Sequence, residues 1–134
     1  VALETNGAAG DVALALLGVP PSQIVVPWED ATIGGIAATR LLDEPTRRRL
    51  AGRVPALWPP GPAALATAAV KAVEAVVGRS RGLVSCFVAP DDSMGRTLRA
   101  SAMPVRLALD GITAVETPPL TGRDRVALDN AILL

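Results

Sequence analysis

Few side chains in this sequence can do chemistry, and their types limit what the chain can catalyse. The 134 residues contain no histidine. Acid–base work near neutral pH would therefore fall to a carboxylate or a thiol with a displaced pKa. The single cysteine, Cys86, stands in the apolar run Leu83-Val84-Ser85-Cys86-Phe87-Val88. A reactive thiolate needs a base or cation beside it, and this run supplies neither, so a buried core thiol is expected. Asp91 and Asp92 are adjacent acids without further oxygen ligands at suitable spacing, which predicts a turn and no metal site. Arg47, Arg48, Arg49 and Arg53 form a basic cluster. A solvated helix end is its expected role, with an anion or partner site as the alternative. Arg99 and Arg106 are expected at solvated strand positions.

The elements that would carry these residues centre on Pro60 to Ala89. Pro62 suits a first helical turn, and Leu65, Ala68, Ala69, Ala72, Val73, Val76 and Val77 recur at spacings of three and four. Gly78 is a left-handed stop, and the run to Ala89 reads as a buried strand. Ahead of this unit, Leu3 to Leu17 reads as a first helix weakened by Gly7 and Gly10, and Ser22 opens an extended piece through Val26. The stretch Ala31 to Ile36 reads as a short strand or turn whose glycines permit close backbone approach. Asp43 caps a helix from Glu44 to Arg53 with Pro45 in its first turn. Beyond the central unit, Ala100 to Leu109 reads as a strand. Asp110-Gly111 signals a hairpin to Ile112–Thr117, and Thr121 with Asp124 caps a last helix. This order lacks the regular strand–helix alternation of a doubly wound sheet. The expected class is α+β, with antiparallel strands packed against long helices.

Length and composition set the outer bounds. A chain of 134 residues is enough for one domain that buries roughly two thirds of its surface. Half its residues are hydrophobic, and the formal net charge is zero. Zero net charge gives no electrostatic support for binding nucleic acid or an acidic membrane. No apolar run is long enough to span a bilayer, a lone cysteine excludes an internal disulfide, and no signal peptide is visible. A cytoplasmic location is the default expectation.

Several segments carry a resemblance. Met103-Pro104-Val105-Arg106-Leu107 through Asp110-Gly111-Ile112, then Pro119-Leu120-Thr121 and Ala127-Leu128, resembles the carboxyl-terminal end of lactate and malate dehydrogenases. Val26-Pro27-Trp28 with Ala31-Thr32-Ile33-Gly34-Gly35-Ile36 is similar to that family's "VPLWS-ATVGGIP" stretch. Trp58-Pro59-Pro60-Gly61-Pro62-Ala63, Leu83-Val84-Ser85-Cys86 and Gly18-Val19-Pro20-Pro21-Ser22-Gln23-Ile24 match further segments in the family's order. The resemblance implies a single lactate/malate dehydrogenase carboxyl-terminal-like domain over residues 1–134, the part that contacts substrate and builds oligomer interfaces. It also implies that the nicotinamide-binding domain is not in this sequence, and no Gly-x-Gly-x-x-Gly opens a strand–helix unit.

The family's catalytic positions are degenerate. Its carboxylate and substrate-clamping arginine sit in an "LD-x-x-R" helix, where this chain has Leu3-Glu4-Thr5-Asn6-Gly7. Glu4 stands for the aspartate and Gly7 for the arginine; Glu4 is also readable as an ordinary acid at a helix start. The family's histidine lies in a glycine-rich loop before "VP", and here Val25 runs straight into Val26-Pro27. A deletion is the expectation, and omission of residues is the alternative. Leu57 and Trp58 match pocket-lining positions of the family and are the ligand-pocket candidates, with plain packing as the other reading.

The sequence therefore leads to a non-catalytic, dehydrogenase-derived domain without cofactor. It is expected to act in protein interaction or self-association, as a homo-oligomer, most simply a dimer. The first helix and the central helix would lie at or near the interface. One alternative is the substrate domain of an NAD-dependent malate/lactate dehydrogenase whose other parts lie outside the sequence. Another is a small-carboxylate binding module.

Overall fold

The computed structural model describes residues 12–89 and 99–133. Thirteen short and long segments alternate along them. β1 (Val12–Ala13), β2 (Leu17–Val19) and β3 (Gln23–Val25) come first, then β4 (Thr32–Ile33), β5 (Ile36–Ala37) and α1 (Ala38–Leu41). α2 (Glu44–Arg53) runs into a 3₁₀ turn (Val54–Leu57) and α3 (Pro62–Val76). β6 (Val84–Val88), β7 (Ser101–Ala108), β8 (Gly111–Val115) and α4 (Gly122–Ile132) complete the chain.

Every strand pair among the described residues is antiparallel, as the α+β reading expects. β7 is the spine of the larger sheet. One of its edges pairs with β6 from Val84↔Val105 to Val88↔Ser101. Its other edge takes β2 at the start, through Gly18↔Ala102, and β8 at the end, through Val105↔Val115. β3 extends the sheet as the outer strand of a hairpin with β2. A smaller sheet joins β1, β4 and β5.

Two apolar clusters hold these layers. Leu17, Val25 and Leu128 are buried together, with Met103, Leu120 and Ile132 against them, so α4 docks on the β2–β3 hairpin. Ala31, Ile33, Ala38 and Leu42 form the second cluster, with Val12, Leu14, Trp28 and Leu50 around it. Val105 is fully buried in β7.

The capping signals are realised. The Asp43 carboxylate accepts from the Thr46 N–H at 3.0 Å, and the Thr121 hydroxyl accepts from the Asp124 N–H at 3.1 Å. Each satisfies a donor that the first helical turn would leave unpaired. Gly78 sits at φ +74° just past α3, the left-handed stop its position suggests.

Four expectations need correction. Leu3–Leu17 is not one helix: Val12–Ala13 and Leu17–Val19 are strands, because their apolar side chains find partners in β4, β3 and β7. Residues 1–11 of that segment lie outside the described ones. Gly34 and Gly35 do not admit a neighbouring backbone, since a Cβ on either would meet nothing within 4 Å. They serve the β4–β5 turn through φ values of +56° and +79°. The central helix does not bury its stripe. Ala75 is the one buried residue of α3, whereas Leu65 is 55% and Val73 60% exposed. Only the C-terminal turns of α3 press onto the sheet. Cys86 is half-buried rather than enclosed, because it lies with Val84 and Val88 on a face of β6 that is only partly covered.

Candidate functional site

The resemblance points to the surface around Leu57, and the structure places a depression there. α2 carries Leu50 and Arg53 to one wall, and the 3₁₀ turn after it adds Leu57. Val12, Leu16 and Val26 line the other side of a space of about 500 Å³. Arg53 is the one charged residue among the described residues that line it. Leu57 is 73% exposed at the rim. Trp58 follows it in sequence but does not line the depression. Its ring stands edge-on to Phe87 with centroids 6.4 Å apart, a packing contact between the end of the 3₁₀ turn and β6.

The chemistry this depression can offer is narrow. Its lining is apolar apart from one guanidinium, which suits an apolar group with an anionic end. Among the described residues, no side chain that lines it can pass a proton near neutral pH. Past the end of β3 at Val25, Val26 and Pro27 are buried as Val25 is. Glu4 and Gly7, the positions of the family's carboxylate and clamp arginine, lie outside the described residues, as do Asp91 and Asp92. Among the described residues no group of three or more His, Cys, Asp or Glu gathers.

The arginines are more engaged than their sequence positions suggest. Arg106 is not free in solvent: its Nε donates to Glu116 and its Nη1 to the Arg81 carbonyl at 3.1 Å. That ties the start of β6 to the β7–β8 pair. Arg99 donates from Nη1 to Gln23 Oε1 at 3.3 Å, and its backbone N–H bonds the Ile132 carbonyl at 2.8 Å, so it joins β3 to the end of α4. Within α2, Arg48 pairs with Glu44 one turn before it. Arg47 behaves differently. It is half-buried, and its Nε is buried without a hydrogen-bond partner. The cluster's position in sequence marks a helix end but not this burial; Arg47 borders a space lined also by residues of α4 and the β3–β4 connection.

Compared with solved structures, this architecture is the fold of one half of malate and lactate dehydrogenases. A malate dehydrogenase from Salinibacter ruber matches over 97% of the chain at 22% identity and a TM-score of 0.79. The lactate dehydrogenase from Cryptosporidium parvum matches over 97% at 18% identity with a TM-score of 0.77. The minor L-lactate dehydrogenase from Enterococcus mundtii matches over 97% at 15% identity with a TM-score of 0.81. The chain spans 45%, 48% and 46% of those proteins respectively, about half of each. No sequence-family model matches the chain, and no curated protein matches it in sequence.

Proposed function

We propose that this chain is a non-catalytic domain on a dehydrogenase-derived fold and that it acts by self-association through α3. One observation carries the reading. Leu65, Val70 and Val73 on α3 and Val77 at its C-terminal cap are all more than half exposed, and α3 has only Lys71 and Glu74 as charged residues. Such a face gains from removal from water. With zero net charge, long-range repulsion does little to keep copies apart. The absence of histidine from the chain and the direct passage from Val25 to buried Val26 support the non-catalytic part. The simplest assembly is a two-fold dimer. Sedimentation at micromolar concentration tests it. A dimer that Val73→Glu converts to a folded monomer is the expected result. A monomeric wild type removes the reading.

A second reading is favoured by the span of the match, since the chain covers about half of each dehydrogenase it superposes on. It would then be the substrate half of an NAD-dependent malate or lactate dehydrogenase, with its exposed α3 face meeting other parts of that enzyme. NAD-dependent oxidation of malate or lactate by the chain, lost on unfolding, would favour this reading over the first. The expected outcome is no turnover above the buffer blank.

A further inference from the structure

We propose that the cavity between α2, the β3–β4 connection and α4 binds a phosphate group, with Arg47 and Arg123 as its two holding residues. This site is separate from the Leu57 depression and does not depend on self-association. The space measures about 490 Å³. Arg47 enters it from α2, and Arg123 from the first turn of α4. Ile24, Trp28, Ala51 and Ala127 give it apolar walls.

Three features point to an anion with several oxygens. Arg47 Nε is buried without a hydrogen-bond partner, although buried donors are nearly always paired. A guanidinium presents five N–H donors in a planar fork, suited to the oxygens of phosphate. Arg123 makes no hydrogen bond or ion pair among the described residues. Two forks from different elements can each grip a tetrahedral anion from its own side, which a planar carboxylate does not allow as fully. Three acids also line the cavity: Glu29, Glu44 and Asp124. Glu44 is already paired with Arg48, and the Asp124 Oδ2 accepts from the Thr121 hydroxyl at 2.8 Å. Glu29, which is exposed, and Asp124, whose charge the hydroxyl bond leaves in place, oppose binding by their charge. The cavity exceeds the volume of phosphate alone, and its apolar walls would take the organic part of a small phosphomonoester.

The test uses the full chain with a Trp58→Phe change, which leaves Trp28 as the sole tryptophan reporter. Inorganic phosphate and glycerol phosphate are each titrated at constant ionic strength maintained with chloride. Either ligand should alter Trp28 emission saturably and raise the melting temperature with the logarithm of its concentration. A larger affinity for glycerol phosphate assigns the site to a phosphomonoester, and equal affinities assign it to free phosphate. Arg47→Met and Arg123→Gln should each abolish both responses. Arg47→Lys keeps the charge without the fork and should weaken binding about tenfold. Glu29→Gln should tighten it. No saturable response in the parent protein, or an unchanged response in folded Arg47→Met, overturns the proposal.

Discussion

A Cβ placed on Gly18 would lie 2.3 Å from the carbonyl oxygen of Gln23. Gly18 is the middle residue of β2, at φ +95°, and it pairs with Ile24 on one side and Ala102 on the other. The β2–β3 hairpin and its attachment to β7 both pass through this one residue. Gly18→Ala should therefore destabilise the protein by about 2–4 kcal/mol, combining a backbone clash with an unfavourable φ. Gly52→Ala is the control. Gly52 lies inside α2 with nothing within 4 Å of its would-be Cβ, so alanine should add about 0.5–1 kcal/mol of stability there. Urea denaturation of the two variants should give changes of opposite sign.

Leucine at two positions separates core from surface. Leu17 is fully buried against Val25 and Leu128, whereas Leu65 is more than half exposed on α3. Leu17→Ala should cost about 2–5 kcal/mol through lost burial and the cavity left behind. Leu65→Ala should change the stability of the monomer by no more than about 0.5 kcal/mol. Measured at a concentration that dissociates any oligomer, a large cost at Leu65 would show that α3 buries this face in its own fold.

The cap at Asp43 makes stability depend on pH in a stated direction. Hydrogen bonds from Thr46, side chain and backbone, are the main cause that lowers the Asp43 pKa, and the fields of Arg49 and Arg47 add to it. A depressed folded-state pKa means the group's contribution is fully present above the unfolded carboxylate value. It is lost as pH falls through the folded value. Asp43→Asn keeps a capping oxygen but has no charge to titrate. The melting temperatures of parent and variant should therefore converge as the solution is acidified below the ordinary aspartate range. A gap that stays constant through that range would show that the Asp43 charge adds nothing.

Gly111 tests the β7–β8 hairpin. The turn residues are Leu109 and Asp110, one place earlier than the Asp-Gly dipeptide suggests, and Gly111 opens β8 opposite Ala108 at φ +102°. The register shift between Arg106 and Leu107 accompanies this offset. Gly111→Val should destabilise by about 1–2 kcal/mol, because a β-branched residue disfavours positive φ. An unchanged melting temperature would contradict the backbone geometry at this position.

Local chemistry determined much of this protein directly from sequence. Asp43 with Thr46, Thr121 with Asp124, Gly78 after α3 and Gly111 beside Asp110 act within a few residues of themselves. Their caps, stops and turns are therefore readable without knowing what lies opposite. The strands β3, β6 and β7 were legible for the same reason, as apolar or alternating runs bounded by proline and glycine. Tertiary structure decided the rest. Leu3 to Leu17 reads as a helix, yet Val12–Ala13 and Leu17–Val19 are strands because their pairing partners arrive from Ile33, Val25 and Ala102. The stripe on α3 could be read as apolar but not as exposed, since exposure depends on how much of the sheet reaches beneath the helix. Arg47 sits among neighbours of like type, and only the tertiary structure shows its Nε buried while Arg48 and Arg49 stay exposed. Spacing along the chain reports which face a residue shares. What that face meets is fixed by contacts tens of residues away, where each surface must bury apolar area and satisfy its own polar groups together.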